Sequence, residues 1–106
     1  MHWVLLFIAG VFEIAWAIGL KYTDGFTKPW PSVATAIAMV ISIVLLGLAV
    51  KHLPIGTAYA IWTGIGAAGT VVLGIVLFGE PATLLRLGCV ALIVIGIAGL
   101  KLTHAE

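Results

Sequence analysis

Charge is what this sequence has least of. Of its 106 residues only 8% are charged and 63% are apolar, with a formal net charge of +1. About a quarter of an ordinary soluble domain is charged. A chain this short has no water-soluble core large enough to bury so much apolar surface, so its remaining solvent must be lipid. No basic run is present to meet phosphates, which excludes a nucleic-acid partner. The one cysteine, Cys89, excludes an intrachain disulfide and reads as a small buried residue in an apolar run. Metal-ligand spacing, a nucleophile–base pair and a glycine-rich phosphate loop are all missing. No metal, cofactor or enzyme chemistry is therefore expected. Internal duplication is missing too: the third and fourth apolar runs do not echo the first.

What is present is four long apolar runs, which predict an all-α membrane protein of one four-helix domain over residues 1–106. The helices are expected at about 3–20, 32–50, 56–78 and 83–100. Lys21 to Gly25 stops the first, and the loop after it runs on to Pro31 with Trp30 at interfacial depth, as Trp3 is. Lys51-His52-Leu53-Pro54 closes the second, and Gly79-Glu80-Pro81 the third. Ala15-Trp16-Ala17 fits a signal-peptide cleavage pattern. However, no Lys or Arg precedes the run, Glu13 interrupts it and three more runs follow. His2, His52 and His104 fall at termini or in a loop and read as solvated.

Glu13 is the residue the rest is arranged around. It lies near the middle of a run of about 18 apolar residues, close to the midplane of a bilayer core roughly 30 Å thick. A carboxylate there costs on the order of 2.5–3.5 kcal/mol on insertion scales, and such groups mark ion or substrate paths. Trp16 follows one turn later and Gly10 shares the face at i−3, which leaves room for a ligand. Ser42 near the middle of the second helix, with Tyr59 and Trp62 in the first half of the third, is expected at the same depth. Ser42 is placed either to donate to the carboxylate or to bond back to its own helix. The indoles and the phenol offer donors and cation–π faces, with core packing as the alternative for Trp16 and Trp62.

The third helix is rich in small residues. Gly56, Ala60, Gly64 and Ala68 form one row, and Gly66, Thr70 and Gly74 a second. Such rows let helices approach closely in lipid. Gly64, Gly66 and Gly69 serve either that packing or a hinge. The fourth helix carries Gly88 and Gly96 but no ionisable group between Arg86 and Lys101, and is expected to make packing or dimer contacts. Lys51 and Lys101 fall on one side of the membrane against Lys21, Lys28 and Arg86 on the other, almost no positive-inside bias. If the chain alternates access, a second, oppositely inserted copy could supply the half that an internal inverted repeat would otherwise give. That favours an antiparallel homodimer, with two Glu13 side chains lining one cavity.

Glu13, the small faces and the run Gly-Thr-Ala-Tyr-Ala-Ile-Trp-Thr-Gly-Ile-Gly at residues 56–66 together resemble the small multidrug resistance family over essentially the whole chain. Within it, Trp16, Lys21 and Gly99-Leu100-Lys101 are most similar to the guanidinium-exporter branch. In the branch that exports bulky quaternary ammonium compounds, a small residue usually stands at the position of Trp16. The resemblance implies an antiparallel, dual-topology homodimer in the inner membrane, joined largely through the fourth helix. It implies proton-coupled export of a guanidinium-type cation, with proton and substrate competing for paired Glu13. Ser42 and Trp62 would hydrogen-bond Glu13, and Trp16 and Tyr59 would line the site. The alternatives are a polyspecific exporter of quaternary ammonium or other hydrophobic cations, and a non-transporting accessory membrane subunit.

Overall fold

The computed structural model describes residues 2–103, which form four helices: α1 His2–Tyr22, α2 Pro29–Ala49, α3 Ile55–Phe78 and α4 Leu84–Thr103. At about 1.5 Å per residue each spans roughly 30–36 Å. All four are long and apolar enough to cross a membrane, and the chain is a multi-pass membrane protein. His104 lies outside the described residues.

Helix ends follow local chemistry. α2 starts at Pro29, three residues before the start read from the sequence. Proline is well suited to a first turn, where its missing N–H has no intrahelical partner to lose and its φ is already helical. Lys28 precedes it in an extended conformation. At the other end of that loop, the buried Thr23 hydroxyl donates to the Leu20 carbonyl at 2.8 Å and accepts from the Phe26 N–H at 3.2 Å. Gly79 ends α3 in the left-handed region (φ 66°), a conformation that glycine adopts without steric cost. The chain then turns back so that the Glu80 N–H reaches the Gly74 carbonyl at 3.3 Å. The Glu80 carboxylate pairs with Arg86 at 3.6 Å.

α1 is the central helix, packed against both α2 and α3, while α4 sits against α3. The core gathers at one end: Leu6 and Ala9 of α1, Ala49 of α2, Leu53 of the following turn, and Ala58, Ile61 and Trp62 of α3. Ala9, Ala49 and Ala58 are fully buried, and their small side chains let the three backbones close up. At the same end the exposed His52 and the partly exposed His2 stack on one another, with ring centroids 4.1 Å apart. Lys101 lies over the Trp3 ring there at 5.5 Å. At the opposite end Lys21 lies over Phe78 at 5.6 Å, joining the finish of α1 to the finish of α3. α4 buries nothing within this chain. Cys89 is exposed on it, contrary to the buried position its apolar surroundings imply. An apolar run says that a helix lies in lipid but not which of its faces meets protein.

Candidate functional site

α1 and α3 run in the same direction and meet through glycines. A Cβ added to Gly10 would come within 2.7 Å of the Ile65 side chain. One added to Gly66 would fall on the Glu13 carboxylate, and one added to Gly69 on the Ile14 side chain. Each missing side chain makes a notch, and the notch at Gly66 is the seat of Glu13. Gly64, only two residues away, faces the other neighbour: its Cβ would lie 2.9 Å from Ile97 of α4. All three glycines singled out on α3 therefore make close helix contacts, and α3 continues as an unbroken α-helix through them.

One turn before Glu13, a hydrogen-bonded chain crosses three helices. The Trp62 indole N–H donates to the Ser42 hydroxyl at 2.9 Å, and that hydroxyl donates to the Ala9 carbonyl at 2.6 Å. Ser42 is fully buried and Trp62 nearly so. The expected bond from either of them to Glu13 is not made, and Ser42 does not bond back to its own helix. In an α-helix the Ala9 carbonyl is also the acceptor for the Glu13 N–H, and a carbonyl oxygen has a second lone pair to offer. Ser42 and Trp62 thus fix the backbone from which Glu13 projects, not its carboxylate. Tyr59 packs its ring 5.7 Å from that of Trp62 and is itself half exposed.

Glu13 and the turn beyond it are different. Glu13 Oε1, Trp16 Nε1 and Thr70 Oγ1 are all buried without a hydrogen-bond partner among the described residues. Trp16 lies one turn after Glu13, and Thr70 one turn after Gly66. Because the two helices run in parallel, Trp16 and Thr70 both lie one turn beyond Glu13 along the helix axes. Glu13 and Trp16 are among the residues that the sequence leads one to expect in a site. Thr70 read only as part of a small-residue row, and its sole sequence signal was a hydroxyl one turn from the glycine opposite the acid. Chemically the region offers an anionic acceptor, a neutral donor and a hydroxyl that can do either. Burying an unpaired carboxylate is costly, so the site favours either a proton or a cation on Glu13.

Gly88 and Gly96 have nothing within 4 Å of a would-be Cβ. Gly88 instead lies with Leu84, Leu85, Cys89 and Leu92 along a shallow apolar groove on the outer side of α4.

Comparison with known proteins agrees with this frame. A family model for the small multidrug resistance proteins matches residues 1–95. A guanidinium exporter from Escherichia coli O6:H1 is 59% identical over 105 residues, covering 98% of this chain and all of the relative. A guanidinium exporter from Proteus vulgaris is 59% identical over 102 residues, covering 96% of this chain and 98% of its own length. One from Citrobacter freundii is 57% identical over 105 residues, covering 98% and 100%. With four membrane-length helices and the partly buried Glu13 set among glycines, this chain belongs to the small multidrug resistance family.

Proposed function

We propose that the protein is an antiporter that exports guanidinium, and small substituted guanidinium ions, across the inner membrane in exchange for protons. The observation that carries this reading is the buried, unpartnered Glu13 carboxylate held in the notch at Gly66. Guanidinium is a flat cation whose paired N–H groups match a carboxylate in bidentate fashion, and it needs no large apolar pocket. A proton and the cation compete for the same oxygens, so loading one releases the other. That competition is the exchange. Relatives at 57–59% identity bear the name guanidinium exporter, which supports this cargo over bulkier cations. Trp16 beside the acid supports it too, because its indole takes up space that a quaternary ammonium ion would need.

The working unit in this reading is an antiparallel, dual-topology homodimer. Two copies bring two Glu13 residues to one cavity, lined by Trp16 and Tyr59, with Gly10, Ser42 and Trp62 packed behind it as its frame. The outer side of α4, with Gly88 and Gly96, forms the contact between copies, and the glycines at 64, 66 and 69 let α3 pack closely against its neighbours. Support for the contact comes from α4, none of whose residues is buried in the single chain. The near balance of two lysines against three basic residues supports insertion in both orientations.

The test is proton-coupled current on solid-supported membranes carrying the purified protein. Guanidinium and methylguanidinium should each give a current that reverses with the pH gradient, and tetraalkylammonium ions should give none. A response to tetraalkylammonium alone would move the assignment to the polyspecific branch. Silence to every cation, with Glu13→Gln indistinguishable from the parent protein, would instead indicate an accessory subunit.

A further inference from the structure

Three buried polar atoms on α1 and α3 lack a partner among the described residues, and they differ in what they can hold. Trp16 Nε1 is a donor only, so it cannot receive an N–H from a cation. Glu13 Oε1 and Thr70 Oγ1 have lone pairs and can. The Thr70 hydroxyl is also unusual for a threonine in a membrane helix, where the group commonly bonds back to a carbonyl one turn earlier. Thr63 and Thr103 do this, donating to Tyr59 at 2.9 Å and to Leu100 at 2.8 Å. Thr70 does not, although an unmet hydroxyl in lipid is costly. The hydroxyl is therefore held ready for a partner from outside the helix.

Its position suits a specific one. Thr70 lies one turn, about 5.4 Å, along α3 from Gly66, against which Glu13 rests. A guanidinium held by the carboxylate through two of its nitrogens directs the N–H groups of the third away from it, where only a separate acceptor can receive them. We propose that Thr70 is the second acceptor for the transported cation, taking an N–H from the nitrogen that Glu13 does not hold. This rests on the reading of the chain as a guanidinium exporter and names the residue that selects among guanidinium ions. A 1,1-dimethylguanidinium ion still offers two –NH2 groups to the carboxylate, but presents methyls where Thr70 expects a donor. Thr70 therefore favours the unsubstituted ion.

The experiment measures binding of guanidinium and of 1,1-dimethylguanidinium by quenching of tryptophan fluorescence, in purified wild-type protein and in Thr70→Val and Thr70→Ser. Valine keeps the shape and removes the hydroxyl. Thr70→Val should lower the preference for guanidinium over the dimethyl ion about tenfold, the worth of one charge-assisted hydrogen bond of about 1.4 kcal/mol. Thr70→Ser should stay within about twofold of wild type. Equal weakening of both ions in Thr70→Val assigns Thr70 a packing role and overturns the proposal, and so does an unchanged preference. Should Thr70→Val not purify folded, Thr70→Ala carries the same expectation, and the same two outcomes overturn the proposal. Failure of the wild-type protein to bind either ion is a different result, and it would sink the guanidinium reading itself.

Discussion

The two turns of α1 on either side of Glu13 are built to opposite rules. On the N-terminal side, Trp62, Ser42 and the Ala9 carbonyl form a closed chain in which each donor has an acceptor. Beyond it, Trp16 and Thr70 are less deeply buried as residues, yet the indole Nε1 and the hydroxyl Oγ1 are shielded and have no partner among the described residues. In lipid there is no water to make good an unpaired group, so the contrast separates frame from site. In the proposed reading, satisfied groups hold the helices in register and the unsatisfied ones meet what the protein binds.

Breaking the contrast at its centre gives the largest effect. Glu13→Gln removes the charge and the exchangeable proton, and pH-driven guanidinium uptake into liposomes should fall to background. Next comes Gly66→Ala, whose methyl falls on the Glu13 carboxylate and must displace it. We expect at least a tenfold loss of guanidinium affinity by fluorescence titration, with the protein still folded, because the displaced side chain is flexible. Ser42→Ala tests the frame. It leaves the Trp62 N–H buried without its acceptor, which should cost about 1–3 kcal/mol of stability, read as a lower melting temperature in detergent. Guanidinium affinity should suffer less than in Gly66→Ala; the reverse order would place Ser42 in the site. The smallest effect within one chain belongs to Gly88→Ala, where the added methyl meets nothing. Melting of the isolated subunit should be unchanged, and any loss should appear as weaker cross-linking between copies.

Much of this was legible from the residues alone. Four runs of membrane length cannot be anything but helices in lipid, and one acid among them is conspicuous because so little else is charged. What could not be read is which neighbour each small group meets. Gly64 and Gly66 look alike in sequence, yet one receives Ile97 of α4 and the other receives Glu13. Ser42 bonds to a backbone carbonyl, an acceptor every residue carries, so no pattern singles out Ala9. Thr70 was visible only as a small residue, since a hydroxyl that has declined its own helix leaves no mark on the sequence. Cys89 and the His2–His52 stack went unread for the same reason: both depend on facing, not on composition.

The glycines at 64 and 66 carry one more implication. Being two positions apart, they expose bare main chain toward opposite sides of a single rod, one side meeting the acid and the other the outermost helix. Whatever swells or empties the space beside the acid pushes on that rod, and the rod has no bulk there to absorb the push. On the proposed function, a change of cargo beside the acid would therefore be felt on the far side, at Ile97, as displacement.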